Sequence, residues 1–213
     1  MERWVLLRKG ADFEAIGKKY QISPRLACLI RNRDVIGEEA VDRYLNGTIS
    51  DLYDGMLMKD MDKAIDILKE KILEDKKIRV IGDYDIDGVN ATYILLEGLE
   101  RLGADVDSDI PDRISDGYGL NRHLVERAYE AGVDTLITCD NGIAAADEIA
   151  YGKEMGMTVI VTDHHEVPFD EQDGEKRYRI PPADAVMDPK QPDCLYPFKG
   201  LCGAAVAYKL MEA

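Results

Sequence analysis

The chain has 213 residues, 46% of them hydrophobic and 32% charged, which suffices for one sizeable core and predicts a main domain with a small appendage. No apolar run is long enough to cross a bilayer, and the start, Met1-Glu2-Arg3-Trp4-Val5-Leu6-Leu7-Arg8, lacks a signal peptide's apolar core, so the cytoplasm is the expected compartment, with no membrane partner. The net charge of −15 is the reverse of the basic footprint of a nucleic-acid binder; it fits a carboxylate-rich metal site, or a basic partner domain outside these residues.

Residues 1–58 read as short helices and loops. Ser23-Pro24 opens one helix, and the stretch from Gly37 to Leu45 carries an amphipathic pattern. A regular alternation then begins, so the predicted division is a helical segment over 1–58 and a main domain over 59–213. Ala64, Ile65, Ile67, Leu68, Ile72 and Leu73 form a helical stripe. Ile78 to Ile81 is a short apolar strand, and a helix from about Val89 to Leu102 stops at Gly103. Ala104 to Ile110 reads as a strand, Asn121 to Ala131 as a helix closed by Gly132, and Thr135 to Cys139 as a buried strand. A helix ending near Met155, a strand from Thr158 to Thr162, a polar stretch and a last strand from Ala183 to Met187 follow. The apolar run from Cys202 to Ala213 has helical character without a stop signal, and the chain is expected to be the front part of a longer protein. This order of elements predicts the α/β class: a mostly parallel sheet, built from right-handed βαβ units, with helices on both faces.

In such sheets ligands bind beyond the carboxyl ends of the strands. The first strand exits into Asp83, Asp85 and Asp87; the next apolar one into Asp140-Asn141-Gly142; the next into Asp163-His164-His165; the last into Asp188-Pro189. Carboxylates gathered in one crevice repel each other, and a cation is the natural remedy. Carboxylates mixed with imidazoles suit Mn²⁺ or Mg²⁺; zinc fits less well and calcium poorly. A calcium loop counted from Asp83 fails because its twelfth position is Ile94. For any single aspartate, capping of the next helix is an equally good reading, and Asp87 before Gly88-Val89 is the leading case. Two adjacent histidines at a strand exit are harder to explain structurally, because each needs its own partners once buried. The four cysteines (Cys28, Cys139, Cys194, Cys202) show no metal-binding spacing and are expected to be reduced and packed as small hydrophobes.

Three segments taken together resemble the first three motifs of the DHH phosphoesterases: Val80 to Val89, Thr138 to Ile143, and Val161 to Glu166. Asp51 to Asp54 with Met58 to Asp62, Asp116 to Leu120, and Tyr196 to Gly203 extend the resemblance over nearly the whole chain, toward the branch of single-stranded-DNA exonucleases. Small-substrate relatives carry a histidine four residues before the first motif aspartate, where Arg79 stands here. The resemblance implies Asp83, Asp85, Asp140 and His164 as metal ligands, with Asp140 bridging two ions. It implies Asp87 and Asp163 as supporting members of the catalytic set, and His165 close to the metal or the scissile phosphate. Arg113 and Gly117 in the turn after it are implied to contact substrate phosphates. The activity implied is 5′→3′ hydrolysis of single-stranded DNA with Mn²⁺ or Mg²⁺, in repair and recombination, by in-line attack of an activated water. A fourth metal-binding aspartate and a nucleic-acid-gripping domain are expected beyond Ala213, so these residues alone are expected to be weakly active or inactive. The rival readings are a small-nucleotide phosphatase or cyclic-dinucleotide phosphodiesterase of the same superfamily, and a non-catalytic replication or repair scaffold.

Overall fold

Buried apolar side chains on the strands alternate between two cores, as a strand's period of two requires when both sheet faces are covered. In the computed structural model, which describes residues 4–5, 9–113, 117, 119–172 and 174–213, Ile78, Val80, Ile137, Cys139, Ile160, Ala185 and Met187 point into one core. Ile81, Leu136, Val159, Val161 and Val186 point into the other. The strands are β1 (Ile78–Ile81), β2 (Val106–Asp109), β3 (Thr135–Cys139), β4 (Thr158–Thr162) and β7 (Ala185–Met187), with β5 (Phe169–Gln172) and β6 (Glu175–Tyr178) apart. The five-stranded sheet runs β2-β1-β3-β4-β7, and every pairing in it is parallel. The predicted fold class is the observed one.

Helices α4 (Met61–Leu73), α5 (Ile86–Arg101) and α8 (Gly203–Glu212) cover the first core; α6 (Arg122–Glu130) and α7 (Ala146–Glu154) cover the second. Gly98 lets α5 and α8 touch, since a Cβ there would collide with Met211. Gly103, Gly132 and Gly156 each follow a helix at positive φ (85°, 73° and 87°), the left-handed exit that glycine makes without strain.

The chain divides into two units, Met1–Leu52 and Tyr53–Ala213. The first contains α1 (Phe13–Tyr20), α2 (Pro24–Asn32) and α3 (Glu38–Asn46). Asp12 caps α1 through the Ala15 amide at 2.9 Å, and Ser23 caps α2 through Leu26 at 3.2 Å with Pro24 in the first turn. In the second unit, residues from Tyr53 onward lie against the sheet layer: the Tyr196 hydroxyl donates to the Tyr53 carbonyl, and Met58 enters the first core.

Two predicted details differ. The helix after β1 begins at Ile86, three residues before Val89, because Asp85 caps it by accepting from the Asp87 and Gly88 amides at 2.9 and 3.0 Å. The polar stretch after β4 contains the antiparallel pair β5–β6, exposed at all eight positions, so no burial pattern marks it. The four cysteines are free thiols, and Cys139 and Cys194 are buried as expected; Cys202 is exposed. Among the described residues no helix is long and apolar enough to cross a membrane.

Candidate metal centre

From β1 the chain moves outward to β2, then returns on the other side of β1 as β3, so the sheet's topological switch point lies between β1 and β3. The register pairs Ile81 with Thr138, Cys139 with Thr162, and Thr162 with Met187. Continued past the strand ends, it sets Asp83, Asp140, Asp163 and Asp188 in one row along the carboxyl edge. All four are buried, at most 2% exposed. Four such carboxylates in a row would not be tolerated without compensation, and three of them find hydrogen-bond partners within the chain.

Asp83 meets none of the ordinary kind. Neither carboxylate oxygen has a hydrogen-bond partner of normal geometry, and burial raises its pKa; the nearby Tyr84 amide offsets only part of this. The turn is tightly packed: a Cβ on Gly82 would strike the Thr92 hydroxyl, and one on Gly88 would lie 2.6 Å from the Asp83 carbonyl oxygen. Asp140 adopts φ +59°, a left-handed conformation that Asp tolerates better than most residues. Its pKa is pushed up to about 7 by burial first and then by the charges of Asp87 and Asp85. The α8 amino terminus lies against it, where a Cβ on Gly203 would come within 2.6 Å of its carboxylate.

Asp163 is satisfied on all sides. It accepts from the amides of Ile143 (2.9 Å), His164 (2.7 Å) and His165 (3.2 Å), and from His165 Nδ1 at 2.7 Å. A carboxylate facing Nδ1 fixes that nitrogen as a donor, so that in the neutral ring Nε2 holds the lone pair. The same bond lifts the His165 pKa to about 8. His164 Nε2 lies 2.9 Å from Asp140 Oδ1 and 3.4 Å from Asp87 Oδ2. Burial and the neighbouring His165 nevertheless lower its pKa, outweighing the carboxylates. The two imidazoles sit 4.5 Å apart, centre to centre.

Asp87 caps a helix, but not its own. Its carboxylate accepts from the Gly203 and Ala204 amides at 2.7 and 2.8 Å, across 116 and 117 residues, and so caps α8. Burial pushes its pKa up, yet these bonds, the Cys202 thiol and His164 together bring it below the ordinary value.

Two sets of side chains therefore have ligand atoms within 4.8 Å of one another: Asp83, Asp85 and Asp140; and Asp140, His164 and His165. Asp140 belongs to both. The orphaned Asp83 oxygens and the oxygen-and-imidazole donor set fit a divalent cation of the Mn²⁺ or Mg²⁺ type. Exposed Arg113 lies beside this centre, its guanidinium 5.4 Å from the Tyr84 ring. Gly117 is exposed with φ +80°; Asp116 and Tyr118 of the same motif lie outside the described residues. Arg79 is engaged elsewhere, in a two-point ion pair with Asp107 on β2 at 2.6 and 2.7 Å.

Asp188 was visible in the sequence as a strand exit but carried no assigned role. Its Oδ1 accepts from the Lys190 amide at 2.7 Å, its Oδ2 has no partner, and burial pushes its pKa up to about 7. The Gly203 and Ala204 amides and the Asn141 amide group are further members that no local pattern marked.

A parallel sheet with carboxylates and imidazoles converging at its switch point defines an α/β domain whose carboxyl edge carries a candidate divalent-metal site. The model of the DHH family's N-terminal domain matches residues 77–213, and the chain belongs to that family. It is 40% identical over 212 residues to the single-stranded-DNA-specific exonuclease RecJ of Bacillus subtilis, covering 99% of this chain and 26% of that protein. To the Escherichia coli RecJ it is 31% identical, covering 100% of this chain and 35% of that one. Among solved structures, RecJ of Thermus thermophilus in complex with Mn²⁺ superposes with a TM-score of 0.64 at 30% identity, covering 98% of this chain and 28% of that one. A manganese-bound exonuclease RecJ gives 0.62 at 37%, covering 72% and 37%. The chain thus spans about a quarter to a third of the length of these relatives.

Proposed function

We propose that the chain supplies the metal-binding and hydrolytic part of a cytoplasmic exonuclease that degrades single-stranded DNA from the 5′ end in repair and recombination. One observation carries this reading: Asp140 is shared by two ligand sets at the switch point, as a bridging carboxylate would be. Asp83 and Asp85 would complete one site, and His164 and His165 the other. Divalent ions held by these residues would supply charge neutralisation at a phosphate and an activated water. The chain's own work is positional. Asp163 orients His165 through Nδ1, Asp87 fixes the α8 amino terminus beneath Asp140, and Arg113 beside Tyr84 presents a fixed positive charge to the substrate's phosphates.

Mn²⁺ titration followed by thermal unfolding, with hydrolysis of a 5′-labelled oligothymidylate, tests this. The expected result is a Mn²⁺-dependent rise in Tm together with slow, Mn²⁺-dependent loss of the 5′ nucleotide. Absence of the rise would overturn the metal assignment. Faster turnover of a dinucleotide than of a long strand would transfer the assignment to the small-nucleotide branch.

A further inference from the structure

We propose that Asn141 is a positioning residue for the metal centre: its amide group clamps the end of β1 to the end of β3 and so holds Asp83 and Asp85 against Asp140. This role rests on the metal assignment above and adds to it a residue outside both ligand sets. The seams of the sheet differ at the carboxyl edge. Three of them carry a backbone hydrogen bond past the strand pairing. The Gly82 amide donates to the Asp109 carbonyl between β1 and β2, Asp140 to Thr162 between β3 and β4, and Asp163 to Met187 between β4 and β7, at 3.2, 3.0 and 3.0 Å. Between β1 and β3, among the described residues, no backbone bond follows Ile81 and Cys139. That seam is the switch point, where the chain leaves β1 for α5 on one face and β3 for α7 on the other.

Asn141 closes the gap. Its Nδ2 donates to the Ile81 carbonyl at 3.2 Å and to the Cys139 carbonyl at 3.0 Å, one on each side of the seam. The turn after β3 brings it there. Asp140 is left-handed, and Gly142, at φ +114°, presses so closely on β3 that a Cβ would strike the Thr138 hydroxyl. The Asn141 side chain is buried, so the two carbonyls depend on it rather than on water. Ile81 stands two residues before Asp83, and Cys139 directly before Asp140. The clamp therefore sets the separation of the carboxylates in the first ligand set, against the repulsion between Asp85 and Asp140. The second set needs no such clamp. Asp140 and the two histidines lie across the β3–β4 seam, which the Asp140–Thr162 backbone bond already closes.

That difference between the two sets is testable on the whole chain. Asn141→Leu keeps the approximate shape and removes both donors. In NMR titrations Mg²⁺, which seeks oxygen, reports the carboxylate set through the Asp83 and Asp85 amide signals; Zn²⁺ reports the other through the His164 and His165 ring signals. N141L should weaken Mg²⁺ binding by about tenfold to a hundredfold, the usual effect of losing an outer-shell partner, and change Zn²⁺ binding by less than about twofold. Thr162→Val is the control. It too removes a buried hydrogen bond to a backbone carbonyl, from Thr162 Oγ1 to Thr138 at 2.8 Å, but at a seam with its own backbone bond. T162V should lower Tm and leave both affinities unchanged. Should N141L not fold, Asn141→Ser, which retains one donor, should show the same selective loss at smaller size. Equal weakening of Mg²⁺ and Zn²⁺ binding, or a loss of Mg²⁺ affinity in T162V as large as in N141L, would reduce Asn141 to general stability and overturn the proposal. Unaltered Mg²⁺ affinity in N141L would overturn it while leaving the metal assignment standing; a wild-type chain that binds neither ion would sink both.

Discussion

Asp140 carries a negative charge in a place that opposes one. Its pKa of about 7, against an ordinary value near 4, means that the metal-free folded state binds a proton there that the unfolded state has released. Between those two values the folded state holds more protons than the unfolded, so this group's contribution to stability falls as pH rises from about 4 to about 7, and the penalty is complete above that. Asp140→Asn removes the charge, keeps the shape, and places at φ +59° a residue that tolerates the left-handed region. It should raise the metal-free Tm at about pH 8 by a few degrees, the size of about 1 kcal/mol in a chain of this length, with the gain vanishing near pH 4. The same variant should lose the Mn²⁺-dependent rise. A purely structural Asp140 would give a lower Tm and an unaltered metal response, which scanning calorimetry with and without Mn²⁺ distinguishes. Residues of this kind were readable from sequence because each stands directly after an apolar strand, where backbone geometry sends it to the sheet edge. Asn141 was not, because its role depends on reaching the carbonyl of Ile81, sixty residues away.

At the scale of elements, the strands and helices of the sheet unit follow from apolar periodicity and glycine stops, and their boundaries move only where a cap intervenes. The capping of α8 is different in kind. Cys202 at its N-cap provides no side-chain bond, and Asp87 does so from the start of α5. Nothing local in either segment announces this, since each looks self-contained. The consequence is that α5, α8 and the carboxylate row are tied together at one point. Asp87→Ala should destabilise the fold by about 1–2 kcal/mol, the usual loss for a charged cap. Hydrogen exchange should speed up first at Gly203, Ala204 and Ala205 and not in β1. Mn²⁺ affinity should fall as well, because α8 would no longer be held beneath Asp140; equal loss of protection across all helices would argue against this tie. The β5–β6 hairpin escaped prediction for the opposite reason. With both faces exposed, its residues were under no demand for alternation.

For the molecule as a whole, the charge of −15 sets a condition on any polyanionic substrate. Long-range attraction is absent, so a DNA strand must be held by a few local positive charges, and the carboxylate row would itself repel the scissile phosphate. Divalent ions at the row reverse that sign where it matters, while Arg113 beside Tyr84 offers a fixed charge nearby. Binding of single-stranded DNA by this chain should therefore require Mn²⁺ or Mg²⁺ and should vanish with EDTA. Because the logarithm of affinity falls with the logarithm of salt concentration at about 0.7 per neutralised phosphate for single strands, one to three contacts predict a slope of roughly −1 to −2. Fluorescence anisotropy of a labelled oligothymidylate, titrated at several salt concentrations with the divalent ion fixed, measures it. Arg113→Gln should flatten the slope by somewhat less than one unit and leave the metal requirement intact. A slope steeper than about −4, or binding that survives EDTA, would mean that this chain carries an extended basic strand-binding face, and metal-centred recruitment would then be wrong.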